Sequence, residues 1–535
     1  MVANNTENHT MAALEVQNVR PILENVSVAE FYAGKTVFIT GGTGFMGKVL
    51  LEKLLRSCHG VYRIYLLIRP KKGQNSRERL QQLLSSPLFD IIRKERPSDL
   101  LKILPIEGDI TQPDLAISQN DRAMLQRTVN VVFHSAATVK FDEKLKLSVT
   151  INMLGTQRLV ELCKWMTNLE ALVHVSTAYC NCDRKIVKEI IYPPSISPDQ
   201  ITSLVNTLDE QIVDTLTEQL VGNRPNTYTF TKALAECWLK ENKGDLPLVI
   251  VRPSIVLSCI DGPLKGWVDN WNGPTGIIAA AGKGLFRTML CDPHKVADIV
   301  PVDMVINLML ASAWRIGTHK TREIPLYNCV TGQRKPITWS NFVGTCFKYM
   351  RKHPFSNISW YPSGTVTASI VYNTFNKIFL HWLPAYILDT FVFIFGGKPI
   401  LAKIQDKLCR AAKCLEYFTT HEWQFEDNNV RTLTMAMSDS DRKEFCFDVS
   451  QINWEEYIEN YVLGIRKFIF KEDLDTLPKA RKHMARLYWF YRLLQVVTVL
   501  SLWHFLVLRH APLRKLWINA FRIIVTLLGK LPFVK

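Results

Sequence analysis

A glycine-rich turn directly after a short apolar run limits this chain more than any other feature. Lys35-Thr-Val-Phe-Ile-Thr40 reads as a buried strand, and Thr40-Gly-Gly-Thr-Gly-Phe-Met-Gly47 follows it, with Gly41, Gly44 and Gly47 at G-x-x-G-x-x-G spacing. Residues 48–57 then carry apolar side chains at helical spacing. Between a strand and a helix, glycines let the backbone turn tightly, bring a pyrophosphate against the helix N-terminus, and pack helix on strand. Thr40, Gly41, Thr43, Gly44, Phe45, Met46 and Gly47 are therefore the candidate dinucleotide-binding residues.

Further short apolar runs at 63–68, 104–107, 131–133, 171–175 and 248–251 alternate with helical patterns, as in βαβ units. The expected fold is α/β, a Rossmann-type doubly wound parallel sheet with ligands at the carboxyl ends of its strands. With 535 residues there is room for more than one domain. Residues 1–30 read as a flexible leader, 31–350 as the catalytic sheet domain and 355–475 as a mostly helical C-terminal domain. Residues 487–535 read as a hydrophobic, membrane-associated tail.

A dinucleotide site often carries an acid at the end of the second strand, where it meets the ribose 2′-hydroxyl. Here that strand ends in Arg69, with Lys71 and Lys72 close behind. Cations there suit a 2′-phosphate, so Arg69 and Lys72 favour NADP(H) over NAD(H); a solvated basic loop is the alternative. In Gly108-Asp109-Ile110, Asp109 reads as an acceptor for the adenine amine or as the cap of a turn. Ser135-Ala136-Ala137 offers small residues where backbone must approach the cofactor.

Tyr228-Thr-Phe-Thr-Lys232 puts a phenol and an amine one helical turn apart, and His174-Val-Ser-Thr177 ends a strand in two hydroxyls. Reduction of a carbonyl leaves charge on oxygen, so a proton donor must stand beside it. The Lys232 ammonium is expected to lower the pKa of the Tyr228 phenol and to hold the nicotinamide ribose. Ser176 or Thr177, with Thr177 preferred, is expected to steady the substrate oxygen.

These motifs, with Val251-Arg-Pro-Ser-Ile-Val256, resemble the extended short-chain dehydrogenase/reductase family. Val131-Val-Phe-His-Ser-Ala-Ala137, Asn152-Met-Leu-Gly-Thr156, Gly273-Pro-Thr-Gly276, Asp298-Ile-Val-Pro-Val-Asp303 and Phe418-Thr-Thr-His-Glu-Trp423 narrow this to a resemblance to alcohol-forming fatty acyl-CoA reductases over residues 30–470. The resemblance implies that Asn152 supports the active-site hydrogen bonds and that Pro253 and Ile255 lie near the nicotinamide carboxamide. It implies reduction of a long-chain fatty acyl-CoA to a primary alcohol with two NADPH, through an aldehyde made and consumed at one site, with no cysteine as nucleophile. Alternatives are another membrane-bound dehydrogenase of the superfamily, of hydroxysteroid or sugar-nucleotide type, and a non-catalytic NADPH-binding scaffold.

The net charge of +16 suits phosphorylated coenzymes or a membrane surface, and no nucleic-acid-binding motif accompanies it. Twelve scattered cysteines without a C-x-x-C pair read as buried thiols of a reducing compartment, with no metal site expected. Residues 493–508 are nearly long enough to cross a bilayer, and 516–528 place their polar residues on one face, as an interfacial helix does. The apolar segment 372–395 is interrupted by Pro384 and Asp389 and is expected to be monotopic or to line an acyl tunnel rather than to span. The chain is expected on an intracellular membrane, endoplasmic reticulum or peroxisome, and because residues 1–30 do not read as a signal peptide the catalytic domain is expected on the cytosolic side.

Overall fold

A computed structural model describes residues 26–71, 73–505 and 509–528. Seven strands form one parallel sheet: β1 (Thr36–Thr40), β2 (Arg63–Ile68), β3 (Ile103–Glu107), β4 (Val131–His134), β5 (Ala171–Val175), β6 (Leu248–Pro253) and β7 (Leu326–Cys329). Their spatial order is β3-β2-β1-β4-β5-β6-β7. Val37 of β1 lies opposite Ile64 of β2 and Val131 of β4, so the strand order reverses at β1/β4. That reversal opens a crevice at the carboxyl ends, where ligands of such sheets bind.

Apolar side chains on both faces of the strands explain their unbroken apolar runs. Val37 and Ile39 pack on one face with α1 (Phe45–Ser57), while Phe38 packs on the other with α2 (Thr227–Asn242). A third helix, α3 (Val302–Thr318), lies on the α1 face and is buried along nearly its whole length. β7 has no counterpart among the apolar runs read from the sequence. It is four residues long, and its Asn328 interrupts the pattern by donating to the Glu426 carbonyl at 2.7 Å.

Of the expected leader, residues 1–25 lie outside the described residues. Ser27 already caps a helix over Val28–Phe31 with a reciprocal Glu30 bond, and Val28 is buried, so packing starts before residue 30. Beyond residue 355 the chain is mostly helical, including α4 (Leu401–Thr420), as expected. It nevertheless shares one core with the sheet. Tyr457 donates to the Ser258 carbonyl at 3.0 Å, Tyr461 to Thr275 Oγ1 at 2.9 Å, and Phe445, Ile458 and Ile465 join the cluster that holds Val37.

Among the described residues, one helix is long and apolar enough to cross a membrane: Ile370–Ile394, 25 residues with 17% of its apolar window buried. The expected C-terminal segment 493–508 runs into 506–508, which lie outside the described residues. The polar interruptions of Ile370–Ile394 turn inward. His381 accepts the Arg287 N–H at 2.8 Å, and Asp389 accepts those of Ile400, Leu401 and Ala402 at 2.8–3.0 Å, capping α4. Phe375, Phe379, Leu383, Ile387, Phe391 and Phe393 are left exposed. In the tail, Leu477–Trp503 and Ala511–Leu528 are helices whose Trp503 and Trp517 rings meet edge to face at 4.4 Å.

Candidate active site

The turn after β1 is shaped by what crosses it. Gly41 has φ +76°, and a Cβ there would stand 2.6 Å from the Ala136 nitrogen and 2.7 Å from the Ser135 carbonyl carbon. A Cβ on Gly47 would stand 2.3 Å from the Gly41 oxygen, so α1 packs directly on the turn. Only glycine permits both approaches. The backbone N–H groups that open α1 then face the crevice without helical partners, which is the arrangement a pyrophosphate needs. Gly41, Gly44, Phe45, Met46, Gly47, Ser135 and Ala137 line a 410 Å³ cavity there.

The other residues expected around the cofactor support this turn or lie apart from the cavity. Thr40 is buried, its hydroxyl 2.7 Å from His134 Nδ1 and its carbonyl accepting from Ser135 Oγ. Thr43 is half-buried on the turn and Ala136 packs behind it; neither lines the cavity. Arg69 stands at the end of β2, more than half exposed, 3.5 Å from Asp109 Oδ2. Asp109 also accepts from Thr111 N and Oγ1 at 2.9 and 2.8 Å, so it caps its turn while holding Arg69. Ile110 packs on Gly155. Lys72 lies outside the described residues.

On the far side of the same cavity stand Ser176, Thr177, Tyr228, Lys232, Pro253 and Ile255. Asn226 caps α2 by accepting the Thr229 N–H at 2.9 Å, which sets Tyr228 in the first turn of the helix. Lys232, one turn further, donates to the Val175 carbonyl at 2.7 Å. Thr177 accepts the Tyr179 N–H at 3.3 Å and also hydrogen-bonds Tyr228. Ser176 Oγ is buried and has no partner among the described residues. The Phe141 ring stacks on Tyr228 with centroids 5.8 Å apart.

The electrostatics reverse one expectation. Burial pushes the Tyr228 phenol up to about 12, against a smaller lowering by Thr177, and burial pulls Lys232 down to about 8. The phenol was expected to be lowered by the ammonium. Loss of water around the phenol penalises the phenolate more than the Thr177 hydrogen bond favours it. Tyr228 therefore holds its proton at neutral pH and is fitted to donate it.

Asn152 does not reach the cavity. It sits in a π-helical stretch, Thr150–Leu154, and clamps Thr138: Oδ1 accepts the Thr138 N–H at 2.9 Å, while Nδ2 reaches Thr231 Oγ1 at 3.0 Å. It thus joins α2 to the segment after β4 as a positioning residue.

Sequence reasoning missed a second support. Arg252 of β6 and Glu236 of α2 form a doubly hydrogen-bonded pair at 2.5 and 2.8 Å, essentially inaccessible to water. The i, i+4 spacing of Lys232 and Glu236 was the only local signal for it. Also missed was the distal wall, where Trp339, Phe342, Val343, Val366, Leu415 and Phe418 make the cavity largely apolar. Asp298 and Asp303, quoted above for family likeness, are backbone clamps. The first accepts from Thr331 and Gly332, the second from Ile260, Asp261 and Gly262.

A doubly wound sheet with this turn and a Tyr–Lys helix facing it defines an extended short-chain dehydrogenase/reductase, an oxidoreductase that uses a nicotinamide dinucleotide. An NAD-binding family model described as male sterility protein matches residues 39–309, and a second model of that description matches 380–472. Fatty acyl-CoA reductase 1 of Gallus gallus is 41% identical over 92% of this chain and 96% of its own length. Fatty acyl-CoA reductase 2 of Mus musculus is 40% identical over 92% and 95%. The chain belongs to the fatty acyl-CoA reductase family. Among solved structures, the terminal R domain from the myxalamid PKS-NRPS pathway matches 83% of this chain and 95% of its own with a TM-score of 0.52, at 19% identity, a likeness of fold.

Proposed function

We propose that this enzyme reduces a long-chain fatty acyl-CoA to the primary alcohol and free coenzyme A, with NADPH as reductant and an aldehyde formed and consumed at one site. The observation that carries the reading is the union, in one cavity, of the glycine turn, the protonated Tyr228, Lys232 and a wall of aliphatic and aromatic side chains. The dinucleotide would be held by Gly41 to Gly47, Ser135, Ala137 and Lys232, with Pro253 and Ile255 beside the nicotinamide. Arg69, with Lys72, favours the phosphorylated dinucleotide. Bound there, the cofactor supplies one hydride per reduction, so two are consumed for each alcohol.

The chain's own residues handle the protons. Thr177, on the cavity wall beside the phenol and next to Ser176, holds the substrate oxygen. As charge develops on that oxygen Tyr228 protonates it, giving a thiohemiacetal from the thioester. The Lys232 ammonium steadies the phenolate left behind. Collapse returns the hydroxyl proton to the Tyr228 phenolate and expels the coenzyme A thiolate, which takes a proton from water; the aldehyde left behind then meets the restored phenol in the second reduction. Cys291 also lines the cavity, but burial pushes its thiol up to about 12, so it is a poor nucleophile and no acyl-cysteine is required.

The reading places the enzyme on an intracellular membrane, endoplasmic reticulum or peroxisome, facing the cytosol. The exposed apolar face of Ile370–Ile394 supports a lipid contact close to the site, because the cavity-lining Val366 stands four residues before that helix.

The test is Tyr228→Phe. With hexadecanoyl-CoA and NADPH, alcohol formation should fall at least about a hundredfold, the range for loss of a general acid. Cofactor binding should persist. Undiminished turnover removes Tyr228 from the chemistry.

A further inference from the structure

A second cavity, 670 Å³, continues the first. The two share Val139, Phe141, Asn272, Gly273, Ile277 and Leu415, so they are chambers of one groove divided at the Phe141 ring. One helix forms a wall of both. The C-terminal part of α4, through Leu415, Phe418 and Thr419, faces Tyr228's chamber, whereas Ile404, Lys407, Leu408, Arg410 and Ala411 face the second. At 1.5 Å per residue, Phe418 and Lys407 are roughly 16 Å apart along the helix. That is comparable to an extended pantetheine arm.

The chambers differ in chemistry. Beyond Tyr228 the first is closed by Trp339, Phe342, Val343 and Val366 and bears no charged side chain except Lys232. The second is open and basic, with Lys140, Lys407 and Arg410 all exposed at its rim. Lys407 makes no ion pair among the described residues. Among the described residues Arg410 pairs with half-exposed Asp406, one turn back, and Lys140 lies 3.7 Å from Glu143. Asp142 is the one acid in the lining. Lys283 is a fixed part of the wall, paired to Glu472 and seated 4.2 Å over the Phe470 ring. Beside these cations Trp271 stays 55% exposed, with its edge against Phe470. Accessible cations around an exposed indole are what a phosphorylated purine nucleotide needs, for its phosphates and for its base.

The geometry points to this second chamber as the seat of the nucleotide end of coenzyme A. Lys407, Arg410 and Lys140 meet the phosphates, Trp271 stacks on the base, and the pantetheine arm passes Phe141 to present the thioester to Tyr228. The acyl chain then has one way to run, toward Trp339 and Val366. The inference rests on the acyl-CoA reading above and adds a direction to it: the thioester enters through the chamber lined by Lys407 and Arg410 of α4, and the acyl chain lies beyond Tyr228.

The test is a Lys407→Glu, Arg410→Glu double variant, with both positions exposed and outside the core. Initial rates are compared with hexadecanoyl-CoA, hexadecanoyl-pantetheine and hexadecanal. The KM for the CoA thioester should rise about tenfold or more, equivalent to about 1.4 kcal/mol. Its dependence on salt should flatten, because the charges that salt screens are gone. The pantetheine thioester and the aldehyde, which carry no nucleotide, should keep their KM values. Trp271→Ala should raise the KM for the CoA thioester alone. An unchanged KM for the CoA thioester, or an equal rise for all three substrates, overturns the assignment. Failure of the wild-type enzyme to reduce hexadecanoyl-CoA at all would instead overturn the parent reading.

Discussion

Lys232 donates a hydrogen bond from Nζ to the carbonyl oxygen of Val175 at 2.7 Å, fastening α2 to the end of β5. The amine that follows Tyr228 by one helical turn is thereby fixed next to the Ser176–Thr177 step. Its surroundings are dry, and that dryness governs both ionisable groups: Lys232 is lowered to about 8 and Tyr228 raised to about 12.

This gives a pH dependence with a definite sign. Below about pH 8 Lys232 is an ammonium and can steady a phenolate; above it the amine is neutral and that stabilisation is lost. Tyr228 stays protonated throughout. kcat/KM should therefore fall on the alkaline side, approaching about tenfold per pH unit beyond the midpoint. A pH–rate profile that stays flat to well above pH 9 would count against the role of Lys232. Lys232→Met should lose that limb together with most of the activity.

The buried Arg252–Glu236 pair makes a separate prediction about stability. Removing one partner leaves an uncompensated charge in the core, at a cost of about 3–5 kcal/mol. Arg252→Met and Glu236→Leu should each lower the melting temperature markedly. The double variant should recover much of the loss, since no charge is left unpaired. Single variants that melt like the wild type would show the pair to be incidental.

Attachment to lipid should rest in part on Ile370–Ile394, whose His381 and Asp389 are turned inward and whose Phe375, Phe379, Phe391 and Phe393 face out. Full-length protein in cell membranes should stay in the pellet after an alkaline carbonate wash. Its recovery in the supernatant would make these helices soluble-phase packing elements.

Local features carried far. The strand β1, the glycine turn and the Tyr228–Lys232 helix stand where spacing alone placed them, because backbone turns and helical periodicity act over a few residues. Asp109 reads from the sequence as an adenine contact or a turn cap, and in the fold it accepts two bonds from Thr111 while standing 3.5 Å from Arg69. β7 escaped notice because four residues with an asparagine among them carry too little pattern. Asp389 argued against a membrane segment when seen only as a charge in an apolar run. Its three backbone bonds to Ile400, Leu401 and Ala402 make it a cap for a neighbouring helix.

The succession of strands and helices, the glycine turn and the one-turn spacing of Tyr228 and Lys232 were thus written in the chain itself, since each depends on neighbours within a turn or a strand. The raised phenol, the closure of the site by α4 and the pairing of Arg252 with Glu236 came only with folding. Each depends on what excludes water around a group, and that is settled by segments distant in the chain. Tyr228 and Phe418 are 190 residues apart, and the Phe141 ring, stacked on the one and 5.2 Å from the other, joins them.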